Sequence, residues 1–127
     1  MKRAEVEMLE KLMGQLEGLH REISALGRKS PSDGLNKFKF QFVNSCIANA
    51  NEFLGKDYKP LEGFEQFDAD DLPTNSDVTL ILASYLEEIE RMRADNIKLY
   101  AGRWIYELSD NHEEIRTSPP KKIKEKK

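Results

Sequence analysis

The stretch from Ser76 to Leu108 constrains the fold most, because a helix start signal leads into a long apolar stripe with no intervening proline. Ser76 precedes Asp77, so its hydroxyl can cap the first turn while the carboxylate meets the positive end of the helix dipole. Apolar residues then recur at spacings of three and four, at Val78, Ile81, Leu82, Tyr85, Leu86 and Ile89. This is the period of one buried helical face, and it predicts a helix over residues 76–108.

The stripe changes phase beyond Met92. Polar residues intervene before the apolar positions resume at Ile97, Tyr100, Ala101, Trp104, Ile105 and Leu108. A bend, a break near residues 94–96, or a second partner for the distal half would each account for the change. Gly102 also costs a helix about 1 kcal/mol relative to alanine. The sequence therefore leaves open whether this helix continues past Met92.

A leucine-rich seam predicts an N-terminal helix near residues 3–26, with Gly27 as its C-terminal cap residue. The seam alternates steps of three and four, as in a coiled coil, through Leu9, Leu12, Leu16, Leu19, Ile23 and Leu26. We expect it to mediate self-association as a homodimer, because the other two helices can cover one another and leave the seam exposed. A monomeric three-helix bundle closed by the seam is the alternative.

Turn-forming residues at 30–34 precede a second apolar stripe, which predicts a helix near residues 34–54. The stripe consists of Leu35, Phe38, Phe42, Cys46, Ala50 and Phe53, and it is flanked by Val43, Ile47 and Leu54. Alternating residues over 37–42 would also suit a strand, but the longer periodicity favours a helix with Phe40 facing away from the stripe. Cys46 is the only cysteine, which excludes an intramolecular disulfide and favours a buried small hydrophobe.

Residues 55–75 form a long connection between the second and third helices. Loops of this length without packing are uncommon in compact domains, so we expect the segment to lie ordered over the core, with a short helical turn near 61–67. The candidate apolar anchors are Tyr58, Leu61, Phe64, Phe67 and Leu72.

An acidic run in this connection is a candidate contact surface for a basic protein partner, and a solvated loop that caps neighbouring helices is the alternative. Its expected contact residues are Glu65, Asp68, Asp70 and Asp71. Divalent cations prefer oxygen ligands, but the EF-hand pattern fails because Leu72 and Pro73 replace a ligand and the turn glycine. Arg103 and Trp104 form a second candidate contact, since cations and tryptophan are typical interface anchors, although a buried indole is the alternative.

Charge is distributed unevenly along the chain. The formal net charge is −3, yet five lysines and one glutamate give the last seven residues a net charge of +4. Pro119 and Pro120 stop any helix, so we expect residues 113–127 to be a disordered basic tail. The acidic remainder argues against a nucleic-acid-binding core, although the tail lysines could still release counterions from phosphates.

The sequence shows no catalytic constellation. His20 and His112 have no cysteine, serine or second histidine at ligand or triad spacing, and no phosphate loop is present. No apolar run approaches the ~20 residues that span a bilayer, and no signal-peptide core is seen, so we expect a cytoplasmic protein.

The chain is thus expected to be all-α and to have three parts: the N-terminal helix (1–29), a helical core with a packed loop (30–112) and the tail (113–127). The sequence predicts a non-enzymatic interaction module without a cofactor, such as an assembly subunit, adaptor, inhibitor or antitoxin-like factor. A nucleic-acid-associated protein that uses the lysine-rich tail is the alternative, and an enzyme with a metal in the acidic loop is a third class.

Overall fold

The computed structural model describes residues 1–110 and 112–122, which form three helices followed by a small sheet. The helices are α1 (Arg3–Lys29), α2 (Lys37–Tyr58) and α3 (Asn75–Asp95). Two antiparallel strands follow, β1 (Ile97–Tyr100) and β2 (Arg103–Tyr106). The prediction of a mostly helical chain with three helices is confirmed, whereas the all-α label is wrong for residues 97–106.

Helix α3 begins one residue before the predicted cap and ends thirteen residues before the predicted terminus. Thr74 is the cap, because its hydroxyl accepts from the Asp77 N–H at 3.1 Å while the Asp77 carboxylate accepts from the Thr74 N–H at 3.1 Å. The helix stops at Asp95, so the phase change in the stripe marks a break. Of the three explanations that the sequence allowed, the break is correct.

A tight turn at Ala101 and Gly102 converts the distal half into a hairpin. Both residues have positive φ, of 50° and 79°, which is the backbone of a two-residue turn that matches the twist of the paired strands. Gly102 therefore supports a turn here instead of weakening a helix. The sequence did not predict this hairpin, because alanine is rare at a turn position with positive φ.

The leucine seam of α1 is buried inside the single chain. Leu9, Leu12, Leu16 and Ile23 are at most 1% exposed, and Leu19 and Leu26 are partly buried. Helix α1 packs against both α2 and α3, which is the three-helix alternative. The dimer prediction assumed that the seam is exposed, and this assumption is wrong for the single chain, whereas self-association itself stays a prediction. Gly27 lies inside α1, and Ser30 takes the cap position.

Helix α2 is rotated by about a quarter turn from the predicted stripe. Its buried face consists of Val43, Cys46, Ile47, Ala50, Asn51 and Leu54. Phe38 and Phe42 are 74% and 41% exposed, so the prediction that they belong to the core is wrong. Two apolar stripes overlap on this helix, and periodicity alone does not choose between them. Burial of Cys46 is confirmed, and it raises the pKa of the thiol.

The segment after β2 lies against the body of the protein. Thr117 N–H donates to the Trp104 carbonyl and Tyr106 N–H to the Ile115 carbonyl, both at 3.0 Å, so the segment extends the hairpin beside β2. The prediction of a disordered tail is therefore wrong for residues 113–122. The remainder of that predicted tail, residues 123–127, lies outside the described residues.

Candidate protein-binding site

Two asparagines of α2 hold the connection between α2 and α3 in place. The Asn44 side chain donates to the Phe67 carbonyl and accepts from the Phe67 N–H, both at 2.9 Å, as a neighbouring strand would. Two turns further along the same helix, Asn51 donates to the carbonyls of Phe64 and Glu65. The two asparagines are seven residues apart, which is two helical turns and hence one face. Sequence reasoning missed this face, although that spacing was a readable signal.

Aromatic residues anchor the connection as predicted, but its last apolar residue does not. Tyr58, Phe64 and Phe67 pack against the helical core, and the rings of Phe64 and Phe67 meet edge to face at 5.2 Å. The helical turn is a 3₁₀ turn at Ala69–Asp71, later than the predicted position near 61–67. Leu72 is exposed, so the prediction that it anchors the loop is wrong.

Two features of the fold disfavour a leucine at position 72. Its side chain is 79% exposed, and its backbone is left-handed, with φ 50° and ψ 56°. Leucine pays a steric cost in this region, which glycine and asparagine tolerate better. The proline that follows, Pro73, further restricts the backbone of the residue before it. Folding stability therefore gives no reason for a leucine at this position.

A cavity of about 530 Å³ opens beside Leu72, between the two connections of the bundle. Its wall is formed by Ser32, Gly34, Leu35, Lys37, Phe40, Ala69, Leu72 and Pro73. Asn75 N–H donates to the Asp33 carbonyl at 2.7 Å, and Gly34 forms an isolated bridge with Thr74, so the two connections are joined at the base. We call the cavity with the adjoining Asp68, Asp70 and Asp71 the Leu72 site.

The 3₁₀ turn places carboxylates next to the cavity. Asp68 caps the turn by accepting from the Asp70 N–H at 2.9 Å. Asp70 and Asp71 are exposed, and across residues 1–110 and 112–122 neither side chain forms an ion pair with a lysine or arginine. Lys37 is the cation that lines the cavity itself. The site thus combines an apolar cavity with unpaired negative charge at its edge.

The other predicted contact residues lie elsewhere. Glu65 forms an ion pair with Lys59 on the loop. Arg103 binds the Glu114 carboxylate with its Nη2 atom at 2.8 and 2.6 Å, and Trp104 packs on a second cluster around Val6, Ile97 and Tyr106. These hairpin residues follow the C-terminal end of α3, roughly 30 Å along the helix from the Leu72 site. The structure therefore does not bring the two predicted contacts together.

The structure describes only some of the lysines of the predicted nucleic-acid contact. Lys122 forms an ion pair with Glu87 of α3 at 2.8 Å, which lowers the pKa of that carboxyl. Lys124, Lys126 and Lys127 lie outside the described residues. Within the described part of the chain, no group of three histidine, cysteine, aspartate or glutamate side chains is arranged to hold a metal ion.

Comparison with protein-family models, with curated proteins and with solved structures found no match for this chain. Among the residues that the structure describes, none of the helices has the length and apolar character needed to cross a bilayer.

Proposed function

We propose that this chain is a non-enzymatic cytoplasmic protein-interaction module whose contact surface is the Leu72 site. The observation that carries the proposal is Leu72 itself, exposed beside an apolar cavity and held in a backbone conformation that disfavours leucine. Residues kept in such conformations cluster at functional sites. An exposed apolar side chain at the mouth of a cavity can insert into a partner or be covered by one.

The partner that fits this surface is a basic protein segment with an apolar side chain. The apolar side chain would enter the cavity between Phe40 and Pro73, and the cations would meet Asp70 and Asp71. Exposed charges of this kind mainly accelerate association and set specificity, and salt screens them. Binding at the Leu72 site should therefore weaken as ionic strength rises.

The proposal is tested by comparing variants as bait in extracts of the native host. Leu72→Asn removes the apolar side chain and introduces asparagine, a residue type that tolerates the left-handed backbone. Asp70→Asn with Asp71→Asn removes the charge. The matched controls are Leu99→Ser, at another exposed apolar residue, and Glu17→Gln with Glu52→Gln, which removes two exposed carboxylates elsewhere.

A protein captured by the wild-type chain should be lost with both site variants, kept with both controls, and released by salt. Circular dichroism and chemical denaturation should show all variants folded, with Leu72→Asn no less stable than the wild type. A partner retained equally by wild type and site variants would refute the proposal, as would the absence of any partner that distinguishes the two sets.

A further inference from the structure

Arg93 of α3 is a buried cation whose guanidinium binds the C-terminal segment of the chain. The residue is 1% exposed. Its Nε and Nη2 atoms donate to the Glu90 carboxylate at 2.8 and 2.9 Å. The remaining bonds reach Thr117 Oγ1, the Ser118 carbonyl and the Pro119 carbonyl, at 2.7, 2.9 and 2.9 Å. A guanidinium has five N–H donors, so every donor is used and three serve this segment.

The C-terminal segment is also bound through its main chain, at residues on either side of those that contact Arg93. At the start of the segment, the Thr117 N–H and the Ile115 carbonyl pair with β2. Near its end, the Lys121 N–H donates to the Glu90 carboxylate at 2.8 Å. Main-chain pairing at a strand edge together with side chains that read carbonyl groups is how proteins bind extended peptides. We call Arg93, Glu90 and the outer edge of β2, with which this segment pairs, the Arg93 clamp.

We propose that the Arg93 clamp binds residues 115–122 of a second copy of this chain, so that two copies associate by exchanging their C-terminal segments. The second copy is the occupant because its segment carries the same hydroxyl, the same two carbonyls and the same N–H that the clamp engages here. This proposal is independent of the Leu72 site. It also differs from a dimer through the leucine seam, since it exposes none of the bundle core.

Exchange conserves the contacts of the clamp and changes only the connection between β2 and the segment. That connection is tied to α1, since Ser109 N–H donates to the Met1 carbonyl and Arg3 pairs with Glu113. A short tether gives the chain's own segment an effective concentration on the order of millimolar. Exchange should therefore be rare in dilute wild-type protein and should appear when one chain's own segment is disabled.

Two full-length variants separate the clamp from its ligand. In the first, Thr117→Pro with Lys121→Pro removes two N–H donors and the hydroxyl from the segment but leaves the clamp intact. In the second, Arg93→Gln with Glu90→Gln neutralises the clamp but leaves the segment intact. Sedimentation velocity of each variant alone should give a monomer, and the equimolar mixture should give a species of doubled mass. A mixture that stays monomeric while both variants remain folded overturns the proposal.

A crosslinking experiment avoids any change to the clamp, in case the second variant fails to fold. On a Cys46→Ala background, Glu87→Cys is placed in one chain and Lys122→Cys in another, since these exposed residues contact each other. After joint refolding at high concentration, a bismaleimide should link the two chains. Gln41→Cys in place of Glu87→Cys is the control. A single chain that carries both Glu87→Cys and Lys122→Cys shows that the reagent spans the distance between the two thiols. If the double variant reacts but no chain-to-chain product exceeds the Gln41 control, exchange does not occur.

Discussion

Tyr85 of α3 donates a hydrogen bond of 2.6 Å to the side-chain oxygen of Asn51 in α2. Because the Asn51 amide donates in turn to the carbonyls of Phe64 and Glu65, one buried network joins α3, α2 and the connection between them. Buried polar groups of this kind stabilise only when all are satisfied, so the network fixes where the connection lies.

Tyr85→Phe should lower the free energy of unfolding by about 1–3 kcal/mol, because it leaves the buried Asn51 oxygen without its donor. Chemical denaturation measures the change. Tyr100→Phe, at a half-exposed residue, is the control and should stay within about 0.5 kcal/mol. Equal costs at the two positions would contradict the network.

The same tyrosine should make stability sensitive to alkaline pH. Burial raises the pKa of Tyr85 to about 12, the hydrogen bond with Asn51 acts in the opposite direction, and the Glu65 carboxylate adds to the rise. An unfolded tyrosine has a pKa of about 10, so the contribution is complete below pH ~10 and is lost as the pH rises toward 12. The stability of Tyr85→Phe should fall less over this interval than that of the wild type. Parallel pH profiles would contradict this assignment.

Leu16→Glu with Leu19→Glu should abolish cooperative unfolding, because Leu16 is fully buried between the helices of one chain. Burying a charge without a partner is among the most destabilising changes in a core. Circular dichroism during denaturation is the measurement. A double variant that stayed helical and cooperative, with a smaller sedimenting mass than the wild type, would instead support a dimer through the seam.

Phe42→Ala should cost far less than Leu82→Ala, for which about 2–5 kcal/mol is expected.

Glu90 should make the chain sensitive to acid. Burial alone would raise the pKa of its carboxyl, but the bonds from Arg93 and from the Lys121 N–H outweigh burial and lower it. A carboxyl with a lowered folded pKa stabilises fully above its unfolded value of about 4.3 and loses that contribution as the pH falls through the folded value.

Glu90→Gln should therefore cost about 3–5 kcal/mol at neutral pH, because it leaves the buried Arg93 cation without its partner. The gap to the wild type should narrow as the pH falls from the unfolded pKa through the lowered folded pKa of Glu90, because the wild-type carboxyl also becomes neutral there. Thermal denaturation over a pH series measures the gap, and a constant gap would refute the pairing as its cause.

The sequence was informative where one apolar stripe had a single interpretation, as in α1, whose Leu9, Leu12 and Leu16 are all buried. It was ambiguous on α2, where two stripes overlap and where Asn44 and Asn51, polar residues within an apolar pattern, fix the packed face through the loop. The hairpin was missed because Ile97 to Leu108 also fits a helical period over a short run.

The candidate site was predictable only in part. The acidic residues Asp68, Asp70 and Asp71 could be found from composition, and the structure does place them together on one turn. The cavity beside them depends on the contacts of Asp33 with Asn75 and of Gly34 with Thr74, which are distant in sequence and carry no local pattern. The exposure of Leu72 likewise follows from its backbone conformation, which no sequence period reports.

Gly14→Ala and Gly18→Ala should each raise the free energy of unfolding by up to about 1 kcal/mol. Both glycines lie inside α1, and a Cβ atom at either would meet no atom within 4 Å outside the helix backbone. Alanine is the better helix former and restricts the unfolded chain. Thermal denaturation of the single variants measures the gain. A loss of stability at either position would show that the surface of α1 needs the glycine for another contact.

The most direct test of the Leu72 site is site-specific photocrosslinking in the native host. A photoreactive amino acid replaces Leu72 in one variant and Leu99, which is also exposed but lies on β1, in another. We expect a discrete adduct with a second protein from position 72, none from position 99, and loss of the adduct when Asp70 and Asp71 are changed to asparagine. Adducts of the same mass from both positions, or none from position 72, would contradict it.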